Sequence, residues 1–184
     1  WNSHVANVVN RANRILGLLR RNLTFCNPKV KETAYIGLVR PLLEYASAIW
    51  DPHTRNLQCE LEKVQRRAVR FVKSDYFNFK PGTITNYLDE LKWQTLKQRR
   101  DVSTIILFNQ SLNSVSNLPL DSVNSPLRPT RHMHTKHFIP LYARTDVYKY
   151  SLIPRAVRLW NNIPQEIIDL STNLYSFEKA VREM

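Results

Sequence analysis

Apolar residues near the start of the chain recur at Val5, Val8, Val9, Ala12, Ile15, Leu16, Leu19 and Leu23. This three-and-four spacing gathers them on one side of an α-helix. Arg11, Arg14 and Arg21 fall on the opposite side, and Arg20 flanks the apolar stripe. Asn27-Pro28 reads as an N-cap followed by proline at the first helical position, where a missing N–H leaves no bond unmade, so a second helix is expected from there toward residue 50. Its apolar residues make two stripes, one of Val30, Ala34, Leu38, Leu42, Tyr45 and Ile49, the other of Tyr35, Val39 and Ala46. That pattern predicts the central, most buried member of a helical bundle. Pro41 interrupts it and clashes with the carbonyl four residues back, at Gly37, where the backbone bends most freely; a kink is expected rather than a break.

After Asp51-Pro52, Thr54 is placed to cap a third helix. Leu57, Leu61, Val64, Ala68 and Phe71 share one of its faces, and Lys63, Arg66, Arg67, Arg70 and Lys73 share the other. A Phe-rich, turn-prone stretch over 75–82 leads to a short amphipathic helix with Ile84, Tyr87, Leu88 and Leu91, then to a longer one over 95–112. Residues 113–131 are rich in Ser, Asn and Pro without apolar period, the signature of a loop or linker. Phe138, Ile139, Leu141 and Tyr142, then Val147, Tyr148 and Tyr150, flank the turn-like Arg144-Thr145-Asp146 and predict a small β-hairpin. Pro154 opens a short helix through Trp160, Pro164 ends it, and Leu174, Phe177, Ala180 and Val181 mark a last amphipathic helix. The expected fold is therefore mainly α: a kinked three-helix bundle with further docked helices and a small C-terminal hairpin plus helices. Its parts are a basic helical domain over 1–112, a linker over 113–131 and a small α+β extension over 132–184.

Composition makes this foldable and basic. The 184 residues are 43% hydrophobic, enough to bury roughly 70% of the unfolded surface. Lys and Arg number 27 against 15 acids, a formal charge of +12, which points to polyanionic partners. Residues 1–73 hold 13 basic and 5 acidic side chains, leaving 14 against 10 for the rest, so the charge is concentrated in the bundle. No uninterrupted apolar run approaches the ~20 residues of a spanning helix, and no signal-peptide pattern opens the chain. A soluble, intracellular protein without a membrane partner is expected, with nucleus and cytoplasm not distinguished. Cys26 and Cys59 cannot build a disulfide framework and read as small buried apolar residues. Helical periodicity begins almost at Trp1, as in a piece of a longer polypeptide.

The five cations of the third helix form a positive ridge along about three turns, and their mutual repulsion favours a polyanion opposite them. The alternative is a solvated face partly neutralised by Glu60 and Glu62; the second positive face, on the first helix, favours phosphate contact. Cations used this way position a backbone without reading bases. Tyr76, Phe77 and Phe79 beside Lys80 have the chemistry to stack on bases, although anchoring the loop is the favoured reading. Trp50, Trp93 and Trp160 lie within apolar patterns and are assigned to packing. His132, His134 and His137 are closely spaced, but no nearby cysteine or acid completes a metal set, and a disordered, pH-sensitive basic loop is expected. Gly17, Gly37 and Gly82 are the only glycines, so no Gly-rich phosphate loop exists. The acids are scattered, and the adjacent Asp89 and Glu90 diverge on a helix, so no metal clamp for phosphoryl or nucleotidyl transfer is expected. Neither a catalytic residue, a cofactor nor a small-molecule substrate is expected for this chain.

The run Ala34-Tyr35-Ile36-Gly37-Leu38-Val39-Arg40-Pro41-Leu42-Leu43-Glu44-Tyr45-Ala46-Ser47, continuing to Trp50-Asp51-Pro52, resembles the region downstream of the palm in LINE-type non-LTR retrotransposon reverse transcriptases, above all their jockey-like branch. His4, the Leu-Leu-Arg-Arg run at 18–21, Leu61-Glu62-Lys63-Val64-Gln65-Arg66-Arg67-Ala68 with Arg70-Phe71, Leu91-Lys92-Trp93, Leu96, Arg99-Arg100, Pro154-Arg155, Trp160-Asn161 and Phe177 extend the resemblance over essentially the whole chain. It implies the thumb and C-terminal region of an RNA-directed DNA polymerase whose metal-binding aspartates sit in a preceding palm. The partners so implied are the backbone of an RNA or DNA template-primer, held by the third helix, and the palm domain itself. Some members carry a cysteine-histidine knuckle near the C-terminus; this sequence has none. The competing reading is a protein-interaction or architectural module that packs on the palm.

Overall fold

The computed structural model describes residues 1–128, 130 and 133–184. The fold is mainly helical, with no strand among the described residues. It divides into two compact units, Trp1–Arg99 and Arg100–Met184.

In the first unit, α1 (Asn2–Asn22) buries Val5, Ala12, Leu16 and Leu19, the stripe read from its periodicity. Asn27 Oδ1 accepts the Val30 amide at 2.9 Å and starts α2 (Pro28–Ala34). The helix then widens into one π turn over Tyr35–Val39, in which the Arg40 amide donates to the Tyr35 carbonyl five residues back, and continues as α3 (Arg40–Glu44). Pro41 accounts for the widening, because its ring would strike the Gly37 carbonyl in a regular turn. A true break follows at Tyr45-Ala46, where Ala46 is left-handed at φ 51°, and a short α4 (Ser47–Trp50) resumes. Trp50 Nε1 donates to the Tyr45 carbonyl at 2.8 Å and pins the joint.

The segment 28–50 is thus widened at Pro41 and broken at Tyr45, and it is not the most buried element. Lys31, Tyr35, Val39 and Leu43 face the core, whereas Val30, Leu38, Tyr45 and Ile49 of the expected first stripe are exposed. Residues four apart drift by about 40° per step around an α-helix. The wide π turn cancels that drift and keeps this set of four on one face.

Thr54 precedes α5 (Arg55–Lys73) with extended backbone but makes no side-chain cap hydrogen bond. Leu61, Val64, Ala68, Phe71 and Val72 of α5 share a core with α1, Tyr35, Val39, Leu43 and Trp50. Lys31, though buried, keeps a polar partner, since its Nζ donates to Ser74 Oγ at 2.6 Å. Tyr35 stacks on Trp93 with centroids 4.6 Å apart. Helix α6 (Thr83–Glu90) packs on α5. Cys26 is half-buried and Cys59 exposed, so neither is the buried apolar residue expected; Cys59 sits on the polar side of α5.

Helix α7 (Leu96–Leu112) contributes Leu96 to the first core, and its Val102, Ile105 and Phe108 to the second. The second unit continues with α8 (Asp146–Lys149), α9 (Leu152–Asn161), α10 (Gln165–Asp169), a 3₁₀ turn (Leu170–Thr172) and α11 (Leu174–Glu183). Trp160 lies at its centre, with Phe108 at 5.4 Å and Phe177 at 5.6 Å between ring centroids. The two units meet in sequence at Arg99/Arg100, upstream of the 113–131 stretch, and Leu120 and Val123 of that stretch pack on the second core.

The expected hairpin is absent from the described residues. The Phe138 amide donates to Asn161 Oδ1 at 3.1 Å and its carbonyl accepts from Asn161 Nδ2 at 2.8 Å, so a side chain takes the bonds a partner strand would need. Arg144-Thr145-Asp146 opens a helical turn instead: Thr145 Oγ1 accepts from the Tyr148 amide at 3.4 Å, and Asp146 lies in the first turn, where negative charge is favoured.

Candidate nucleic-acid interface

Helix α5 is rigidly held because one side is sealed in the core, and its opposite side carries the five cations. Lys63, Arg66 and Arg67 are exposed there, while Arg70 and Lys73 are half-buried. The ridge is partly engaged within the protein. Lys63 pairs with Glu60 at 2.6 Å, and Lys73 pairs with Glu90 of α6. Arg67 Nη1 donates to Asn13 Oδ1 of α1 at 2.9 Å. Arg70 Nη1 donates to the Asn78 carbonyl at 2.8 Å, and its guanidinium lies 4.7 Å from the Phe79 ring centroid.

Arg11, Arg14 and Arg21 are exposed on α1, as their spacing implies. They do not extend the α5 ridge. Measured around α1 from Asn13, which touches Arg67, Arg14 and Arg21 are turned by about 80–100° and Arg11 by about 160°. The two sets therefore face different directions. Arg20, on the flank, covers the Tyr76 ring at 4.3 Å.

Beside the ridge runs a groove of about 660 Å³ between α5, the 79–85 turn and α6. Arg55, Arg66, Arg70, Lys80 and Lys97 line it, with Glu62 as the acid, and Glu62 Oε1 accepts the Lys97 amide at 2.9 Å. Arg55 was legible in principle, since it lies three helical turns before Arg66 and so on the same side. Lys80 and Lys97 gave no such signal, because the chain returns to α5 only through tertiary packing.

The aromatic turn departs from the anchoring expected of it. Tyr76 is half-buried, yet Phe77 is 89% and Phe79 75% exposed. Polar bonds hold the turn in their place. Asp75 Oδ1 accepts the Asn78 amide at 3.1 Å, Asn78 Oδ1 accepts the Lys80 amide at 3.2 Å, and the Tyr87 hydroxyl donates to Asp75 Oδ2 at 2.7 Å. The Tyr87 bond holds the Asp75 carboxyl below its ordinary range, and the same bond raises the Tyr87 phenol.

Trp50 and Trp160 are core residues and Trp93 packs half-buried on Tyr35, so these three tryptophans serve packing. His134 is buried in the second unit rather than part of a disordered loop; its Nε2–H donates to the Trp160 carbonyl at 3.1 Å, and His137 stands 5.4 Å away between ring centroids. Burial lowers the His134 pKa, with the neighbouring imidazole lowering it further against the opposing Trp160 hydrogen bond. His132 lies outside the described residues. Among the described residues no group of three His, Cys, Asp or Glu side chains converges as metal ligands do, and no helix is long and apolar enough to cross a membrane. Comparisons with protein families, curated proteins and solved structures find no match to this chain.

Proposed function

We propose that the first unit grips nucleic-acid phosphates with the outward side of α5 and performs no covalent chemistry of its own. In this reading α1, the 28–44 segment and α5 form a thumb-like bundle within an RNA-directed DNA polymerase, and the polyanion held is the template-primer backbone. The observation that carries it is the placement of Arg66 and Arg67, both exposed on the outward half of a helix whose reverse face is sealed in the core. Lys63 extends the cationic row toward the N-terminus of α5, and Arg55 lies further along the same helix. Neither Arg66 nor Arg67 is paired to a carboxylate among the described residues; Arg67 meets only the neutral Asn13 amide. A backbone contact of this kind is independent of base sequence and releases counterions. Titrating duplex affinity against salt tests it: log affinity should fall linearly with log salt, by about 0.9 per B-DNA phosphate contacted, and a flat response rejects the reading.

A second reading is favoured by a different observation. Val30, Leu38, Tyr45 and Ile49 are exposed on the 28–50 segment, Tyr45 to 83%. Such a set suits packing against another protein surface, the palm domain that the sequence resemblance implies. The two readings use different residues of the unit and are compatible.

A further inference from the structure

We infer that the groove between α5 and α6 seats single-stranded nucleic acid, with one unpaired base stacked on Phe79. The inference deepens the phosphate-binding reading and rests on it, because Arg66 belongs to both surfaces. Five cations line the groove against one acid, so its complement is an anionic chain. The carboxylate of Glu62 already accepts the Lys97 amide, which lessens its opposition.

Phe79 adds the selection. An exposed phenyl on a loose loop would say little, but this turn is fixed by the Asp75, Asn78 and Tyr87 hydrogen bonds, and the ring is presented at the groove edge with Arg70 set against it. A ring held in water beside a row of cations is the combination that non-specific single-strand binders use: cations track the backbone and an aromatic face takes a base. A base within a duplex is already stacked above and below and has no free face to offer. An acidic peptide would satisfy the cations while leaving the ring without a planar partner. Phe77, still more exposed on the same turn, does not line the groove, so the stacking site rests on Phe79 alone.

The test uses the whole chain and two fluorescent probes, an unstructured single strand of about 12 nucleotides, within the site sizes of such binders, and a duplex of the same length. Phe79→Leu keeps an apolar side chain and removes the ring; Phe79→Trp restores a ring. Because residue 79 is exposed, the far-ultraviolet circular dichroism of both variants should match the parent. Loss of one stack predicts a roughly 5- to 150-fold weaker single-strand affinity in Phe79→Leu, recovery in Phe79→Trp, and duplex affinity within twofold of the parent. A 2-aminopurine in the strand should be quenched by the parent and by Phe79→Trp, and not by Phe79→Leu. Unchanged single-strand affinity in Phe79→Leu overturns the stacking site while leaving duplex binding intact. Failure of Phe79→Trp to recover it overturns ring stacking in favour of simple packing, and an acidic peptide that competes equally before and after Phe79→Leu marks the groove as a protein site. If neither probe binds at low salt, the phosphate-binding reading fails together with this one.

Discussion

Reversing Arg66 and Arg67 together to Glu isolates the α5 face from the rest of a strongly basic protein. Both side chains are exposed, so the fold should survive; the one bond lost is the exposed Arg67–Asn13 contact, worth about 0.5–1.5 kcal/mol at most. If each arginine meets one phosphate, the slope of log affinity against log salt should shrink by about 1.8. Between 50 and 200 mM salt, that difference makes the parent lose about 12-fold more affinity than the variant. The gap between the two proteins should therefore be widest at low salt and narrow by that factor at the higher concentration. Fluorescence anisotropy with a labelled duplex at four or more salt concentrations measures it, with circular dichroism as the check on folding. The double reversal Arg128→Glu and Lys179→Glu makes the same change in net charge at exposed positions of the second unit. Should that control lower the slope equally, binding follows overall charge and the α5 face has no special part. Loss of helical signal in the Arg66/Arg67 variant would instead show that these side chains support the fold.

Two further expectations concern buried polar groups. The Tyr35 hydroxyl is buried with no hydrogen-bond partner among the described residues, and burial raises its pKa far above the ordinary phenol range. Tyr35→Phe should keep the ring stacked on Trp93 and raise stability by up to about 1 kcal/mol, or ~4–8 °C in Tm for a unit of this size, whereas a loss larger than 1 kcal/mol in thermal or urea unfolding means the hydroxyl is bonded. For His134 the folded pKa lies below the ordinary value of 6.5, so on acidification the unfolded chain takes up a proton before the native one does. Stability should be full above about pH 6.5 and decline as pH falls from there through the folded pKa; urea midpoints between pH 7.5 and 5.5 measure the decline, and persistence of the same slope in His134→Gln would assign it to another group.

Element type was legible where one period ran unbroken. The stripes of α1 and α5 came out as read, because each is a single helix with one sealed face and one solvated face. The 28–50 segment was not legible in the same way. Periodicity assumes a constant turn, and a π turn at Tyr35–Val39 followed by a left-handed Ala46 changes which residues share a side. The hairpin failed for a different reason: alternating apolar residues around 138–150 resemble strands, but Asn161, distant in sequence, occupies the backbone of Phe138. At the candidate interface, the α5 cations were visible from spacing. Partial neutralisation by Glu60 was legible too, but engagement by Glu90, Asn13 and the 75–79 turn was not, since each of these arrives through tertiary packing. The same limit hid the groove and the exposure of Phe79.

Because Val102, Ile105 and Phe108 sit on α7 yet belong to the second core, the Ser-, Asn- and Pro-rich stretch is a misleading place to cut the gene. A shortened protein ending at Leu112 would leave those three side chains without Trp160, Phe177 and Val181 to cover them, and the remainder would lose the Phe108 ring that completes its centre. Both halves would then carry sticky surface into the cell, inviting aggregation and turnover.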